Sequence, residues 1–199
     1  MKPSTPQREA PSAGDAGDSP ADGPGATTLV PAKTRTTRLL SYRRLWSLTL
    51  IVYILDQLTK AWITQHLPLD SYGRQGIEII PGFFNLVHVG NTGAAWSMFT
   101  GQGTFLGLLA IATLLGIYLW RHQLGLRAAA TQFCFGLLCG GILGNLTDRL
   151  AYGHVIDFVD LHFGNYIYPT FNVADAGICI GVFGYILWSL KQPAGPAEK

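Results

Sequence analysis

Hydrophobic residues in this chain gather into four long runs, Leu45–Ile63, about Gly101–Trp120, Ala128–Leu146 and Val173–Leu190. Each holds about 18–20 residues, close to the length a helix needs to cross a hydrocarbon core. The pattern predicts a mainly α membrane protein with four transmembrane helices. Asp56 and Lys60 interrupt the first run, yet its other residues are apolar enough to carry it across. An even number of crossings puts both termini on one side of the membrane. Lys33, Arg35, Arg38, Arg43 and Arg44 precede the first run, Arg121 and Arg127 flank the loop between the second and third, and Lys191 follows the fourth. The opposite loops carry only Arg74, with Arg149 at the mouth of the third run. Basic residues mark the cytoplasmic side, so a multi-pass protein with both termini cytoplasmic is expected.

Between the runs the pattern changes. Residues 66–100 mix short β-like stretches, Ile77–Ile80 and Phe84–Val89, with Pro81, Gly82, Gly90 and Gly93, which read as turns. They predict a small outer-face β-cradle between helices 1 and 2. Residues 150–171 are expected to form a shorter outer loop. Residues 1–37 are rich in Pro, Gly, Ala, Ser, Thr and Asp, too polar to build a core or to serve as a signal peptide. The expected organisation is a disordered, dispensable tail over 1–37, an integral membrane domain over 38–191 and a short cytoplasmic tail over 192–199. Gly136, Gly140 and Gly144 in the third run, and Gly177 and Gly181 in the fourth, have the spacing of close helix contacts. Packing those two helices together would draw the ends of the second outer loop near each other.

Composition agrees with the membrane reading. Hydrophobic residues make up 48% and charged residues 13%, against about 25% charged in soluble domains. The mean hydropathy of +0.25 is diluted by the polar first residues. A net charge of +2, with no basic patch interleaved with aromatics, gives no sign of nucleic-acid binding. Cys134, Cys139 and Cys179 all fall in apolar runs without CxxC spacing and are expected to pack rather than pair or bind zinc. His66, His88, His122, His154 and His162 show no metal-ligand spacing, so neither metal nor cofactor is expected.

Against this apolar background the polar residues stand out. Asp56 and Lys60 share a helix face, either as an internal ion pair or with a direct role. Asn145, Asp148 and Arg149 close the third run; Asp148 and Arg149 suit a structural ion pair, or Arg149 could hold a substrate carbonyl, whereas the Asn145 amide can both donate and accept. Asn91 opens the stretch Asn91-Thr-Gly-Ala-Ala-Trp96, a turn with an aromatic anchor or part of a site. Asp157 lies in His154-Val-Ile-Asp-Phe158 and Asp175 in Phe171-Asn-Val-Ala-Asp175, about one turn into the fourth run. The topology brings all of these to one depth near the outer face. Two carboxylates held close cannot both ionise easily, so one retains a proton. Such a pair can activate water and protonate a carbonyl without metal or covalent intermediate. Asp148, with Arg149 beside it, and Asp160, read as facing water, are the competing carboxylates. An ion or small-solute transporter would also place paired carboxylates in the membrane, and a non-enzymatic scaffold could be built of glycine-laced helices. The four runs show no inverted repeat, however, and the acids lie at one face rather than at midplane.

Asp56-Gln-Leu-Thr-Lys60, Asn91–Trp96, Gly140–Arg149, Val155-Ile-Asp-Phe158 and Phe171-Asn-Val-Ala-Asp175 together resemble bacterial lipoprotein signal peptidase (signal peptidase II), in order, from about residue 45 to 190. The resemblance implies an aspartic endopeptidase of the inner membrane that removes signal peptides from prolipoproteins. Cleavage would fall just before the diacylglyceryl-modified cysteine. It implies Asp157 and Asp175 as the catalytic pair, and Asp56, Lys60, Asn91, Asn145, Asp148, Arg149 and Asn172 as residues that bind substrate or brace the site. Diacylglyceryl-modified prolipoproteins, membrane lipids and globomycin-type inhibitors are the partners it implies.

Overall fold

A computed structural model describes residues 41–94 and 98–192; the expected tail over 1–37, Trp96 and residues 193–199 lie outside the described residues. The four apolar runs form helices α1 (Arg43–His66), α2 (Gly103–Leu119), α3 (Ala129–Tyr152) and α4 (Val173–Leu190). Of these, α3 and α4 are long and apolar enough to cross a membrane. Helix α2 is apolar over 17 residues, and α1 has 24 residues but contains the Asp56–Lys60 pair.

Helix ends follow local chemistry. Helix α1 stops where Leu67 turns extended (φ −124°, ψ 134°), as the residue before Pro68 must. Helix α3 stops at Gly153, whose φ of +76° supplies the left-handed cap. Helix α4 starts on a capping box in which the Asn172 side chain accepts from Asp175 N–H and the Asp175 carboxylate accepts from Asn172 N–H.

The buried stripe of α1 runs Leu45, Thr49, Val52, Asp56, Lys60, Ile63, apolar at one end and charged towards the other. Its opposite face exposes Leu50, Ile51, Ile54, Leu55, Leu58 and Trp62. Polar inside and apolar outside inverts the arrangement of a water-facing helix. Helix α4 likewise turns its large apolar residues outward, exposing Ile180, Phe183, Leu187 and Leu190 and burying Ala174, Gly177 and Gly181. Exposed apolar surface on this scale requires a cover.

The glycine spacing does serve helix contacts, with one correction to the pairing. Gly136 and Gly140 of α3 face α1, where an added Cβ at Gly140 would come within 2.7 Å of Val52 Cβ. Gly144 faces Asp56 of the same helix and also meets Ala174. Helix α4 packs on α3 through Gly141 instead, together with its own Gly177 and Gly181. Helix α3 thus lies between α1 and α4, with a glycine row for α1 and a separate glycine for α4.

The second correction concerns residues 150–171, which are a hairpin and not a simple loop. Strands β1 (Ile77–Ile80) and β2 (Phe84–Asn91) precede α2, while β3 (Val155–Phe163) and β4 (Tyr166–Phe171) join α3 to α4. They form one antiparallel sheet in the order β1-β2-β3-β4. The sheet is therefore built from both outer segments, not only from the one between helices 1 and 2. Gly164, at φ +63°, turns the second hairpin. Strand β2 pairs with β3 through Asn91↔Val155, Gly90↔Ile156 and Val89↔Asp157, and an irregularity follows between Leu86 and Val89. Ile156 and Phe158 of β3 pack with Ile63 and Leu67 at the end of α1, and Val173 of α4 joins them. This seam fixes β3 against the helices and sets the height of Asp157 relative to α4.

Candidate active site

Two aspartates reach the seam from different elements. Asp157, only 2% exposed, comes from β3. Asp175 is the third residue of α4, oriented by the capping box. Asn172 ties them together: its Nδ2 donates to Asp157 Oδ1 at 2.7 Å and its backbone N–H donates to Asp175 Oδ2 at 3.2 Å. Each aspartate has a second amide donor. Asn91 Nδ2 donates to Asp157 Oδ2 at 2.9 Å, and Asn145 Nδ2 donates to Asp175 Oδ1 at 2.7 Å.

The orientation of all three asparagines follows from what lies on their other side. Asn145 Oδ1 accepts from the Lys60 ammonium at 3.0 Å, Asn172 Oδ1 from Asp175 N–H at 2.9 Å and Asn91 Oδ1 from Gly93 N–H at 2.8 Å. Lys and backbone N–H groups can only donate, so each amide must turn its NH2 towards an aspartate.

Behind this layer sits a buried charge cluster. Lys60 Nζ lies 2.8 Å from Asp56 and 2.7 Å from Asp148, and all three side chains are almost fully buried. Gln57 Nε2 donates to Asp56 at 3.2 Å and to Asp148 at 3.1 Å, which eases the repulsion between two carboxylates sharing one cation. The cluster also grips the backbone. Asp56 Oδ1 accepts from Ala174 N–H at 2.9 Å, and Asp148 Oδ2 accepts from Ile156 N–H at 3.1 Å. Ala174 and Ile156 immediately precede Asp175 and Asp157, so one ion cluster holds the backbone beside both aspartates. Charges buried this deeply persist only when paired and hydrogen-bonded.

Every residue named in advance therefore joins one network. Two details differ from the sequence expectation. Asp148 pairs with Lys60, whereas Arg149 donates to the carbonyls of Asn145 (3.3 Å) and Gly93 (2.9 Å). Adjacent residues on a helix point apart, so Asp148 and Arg149 do not face each other. Asp160 does not face water; it is 3% exposed and meets Asn85 and His162. Gln57 received no role from sequence, although a polar residue beside Asp56 in an apolar run was the available signal.

Burial drives the Asp157 carboxyl up to about 7, and the negative charge of Asp175 adds to that. The hydrogen bonds from Asn91 and Asn172 and the charge of Lys60 pull the other way without cancelling it. A carboxyl raised in this way keeps its proton to higher pH than an ordinary aspartate, as a general acid must. Asp157 opens onto a cavity of about 590 Å³, also walled by Val89, Asn91, Thr92, Thr100 and residues 167–170.

Comparison with known proteins places the chain in a family. A family model described as signal peptidase (SPase) II matches residues 48–191. The lipoprotein signal peptidase of Ralstonia nicotianae is 43% identical over 152 residues, 73% of this chain and 83% of the relative. That of Thermodesulfovibrio yellowstonii is 37% identical over 144 residues, 71% of this chain and 91% of the relative. A solved bacterial membrane enzyme shares 32% identity at a TM-score of 0.69, covering 78% of this chain and 92% of its own. The match spans all four helices and both hairpins that meet at the aspartates, and on that ground the chain belongs to the signal peptidase II family, a family of peptidases.

Proposed function

We propose that the protein is a membrane aspartic endopeptidase that removes signal peptides from prolipoproteins by cutting before the diacylglyceryl-modified cysteine. The observation that carries this reading is Asn172, which hydrogen-bonds both Asp157 and Asp175 and so presents two carboxylates as a unit. The pair shares one proton. Its ionised member takes a proton from water as the oxygen attacks the scissile carbonyl carbon. The protonated member gives its proton to the carbonyl oxygen. When the tetrahedral gem-diol collapses, the protonated carboxyl donates to the departing amine nitrogen while the ionised one takes a proton from a gem-diol hydroxyl; the C–N bond breaks, a carboxylic acid and an amine leave, and the pair again holds one proton. Asp56, Lys60, Asn145, Asp148 and Asn172 hold the pair in register. Asn91 tunes Asp157, and Arg149 holds the Gly93 carbonyl next to it. No metal or cofactor takes part in these steps.

All four helices are proposed to cross the bacterial inner membrane, with the lipid covering the apolar faces of α1, α2 and α4. Both termini are cytoplasmic in this reading, which rests on the flanking arginines and lysines, and the sheet lies at the outer face. The peptidase domain spans 38–191, between a dispensable tail over 1–37 and a short cytoplasmic tail over 192–199.

The test is cleavage of a diacylglyceryl-modified prolipoprotein by the purified protein in lipid, followed by release of the signal peptide. Cutting before the modified cysteine is expected, with block by a globomycin-type inhibitor and complete loss in Asp157→Asn and Asp175→Asn variants that remain folded. Turnover by either variant would refute the dyad. A protein lacking residues 2–37 is expected to cleave like the full chain; a large loss would assign the tail to the site.

A further inference from the structure

Asp160 takes no part in the chemistry above, yet it is 3% exposed and lines the same cavity as Asp157. Its Oδ2 accepts from Asn85 Nδ2 at 3.3 Å and lies 2.7 Å from His162 Nε2. Its Oδ1 has no hydrogen-bond partner among the described residues. A buried carboxylate oxygen without a donor is unfavourable, and native proteins retain few such atoms without a use for them. The cavity wall continues from Asp157 through Thr92, Thr170 and the rings of Tyr72 and Tyr168, and none of its described lining residues is Lys or Arg. The cations of the site are engaged elsewhere: Lys60 is buried between Asp56 and Asp148, and Arg149 is bonded to the carbonyls of Asn145 and Gly93. Among its described lining residues the cavity therefore has hydroxyl groups beside the apolar Val89, Ile167 and Pro169, two carboxylates and no lysine or arginine.

We propose that this cavity receives the residues that follow the modified cysteine and that Asp160 makes it select against acidic side chains there. The inference rests on the proposed function and adds a substrate preference to it. A signal peptide is apolar and suits the apolar helix faces, whereas the start of an exported domain is polar and suits hydroxyl-bearing walls. A carboxylate in a poorly solvated wall acts over several ångströms without direct contact. It repels an acidic side chain and attracts a basic or donor-bearing one in the same position.

The experiment uses the full chain in lipid and two diacylglyceryl-modified prolipoproteins differing only in the residue after the cysteine, Lys in one and Asp in the other. At the pH of highest activity, wild type is expected to favour the Lys substrate by about tenfold in kcat/KM, the scale of one charge pair in a partly solvated wall. Asp160→Asn is expected to bring the ratio close to one. Because the reading is a ratio within each variant, a general loss of activity does not imitate it. Should Asp160→Asn fail to fold, Thr170→Lys places a cation on the same wall and is expected to reverse the preference. Equal cleavage of both substrates by wild type, or a ratio unmoved in either variant, overturns the inference alone. Failure of wild type to cleave either substrate overturns the proposed function, and the inference with it.

Discussion

Replacing Asn91 by alanine removes the 2.9 Å hydrogen bond that Asn91 Nδ2 donates to Asp157 Oδ2. That donor stabilises the ionised carboxylate and is one of the influences pulling its pKa down against burial. Without it Asp157 must hold its proton to higher pH. A hydrogen bond to a charged group contributes roughly 1.5–3 kcal/mol, and one pKa unit corresponds to about 1.36 kcal/mol. The alkaline limit of Asp157 should therefore rise from about 7 by roughly one to two units. Under the proposed mechanism activity is lost when the pair gives up its shared proton. The alkaline limb of kcat against pH is then expected near neutrality in wild type and about one to two units higher in Asn91→Ala. Asn91→Asp sharpens the test. It keeps the acceptor for Gly93 N–H but replaces the donor with a like charge, so its limb should lie higher than that of the alanine variant. The assay is the rate of signal-peptide release across pH in lipid vesicles, with folding checked at each end of the range. A limb that stays at the wild-type position, or moves to lower pH in either variant, refutes the assignment of Asp157 as the group that carries the proton.

Two further outcomes follow from the ion cluster. Gly144→Ala drives a methyl group into the Asp56 carboxylate and against Ala174 Cβ at 3.3 Å. Overpacking of this kind destabilises by about 1–3 kcal/mol, and because Asp56 holds Ala174 N–H, cleavage should fall more than stability in a denaturation and activity comparison. Wild-type activity in that variant would show that the Asp56 position is not needed. Lys60→Met leaves Asp56 and Asp148 buried against each other, a loss of about 3–5 kcal/mol. The folded fraction at neutral pH should drop and should recover in part when Asp148→Asn is added; a single variant as stable as wild type would contradict the pairing.

The helices were legible because lipid requires long apolar runs, and a run such as Val173–Leu190 matches its helix end to end. The first hairpin was legible because Pro81-Gly82 punctuates it. The second hairpin was missed although its signal was present, two β-rich stretches separated by Gly164-Asn165. What sequence could not supply was partner choice across distance. Asp148 lies beside Arg149 in the chain but pairs with Lys60, 88 positions away, because helix geometry turns it towards α1. Asp160 alternates with apolar neighbours in a strand, and only the pairing of β2 with β3 puts Asn85 over it and removes it from water. Residues bound by local rules, such as the Asn172–Asp175 cap, were accessible in principle, since their spacing alone defines the motif.

The central strand pairing has a consequence for how the protein comes into being. Strand β2 leaves the ribosome early but its partner β3 lies beyond two further helices, and the Asn91–Asp157 bond joins residues 66 positions apart. A chain synthesised as far as β3 possesses Asn91, Asn145 and Asp157 but lacks both Asn172 and Asp175. The second aspartate arrives with the last helix, which must dock on α3 before Asp56 can take hold of Ala174 N–H. Nascent and truncated chains thus lack one member of the proposed pair. Under the proposed mechanism, proteolytic competence is acquired only once the last helix has docked.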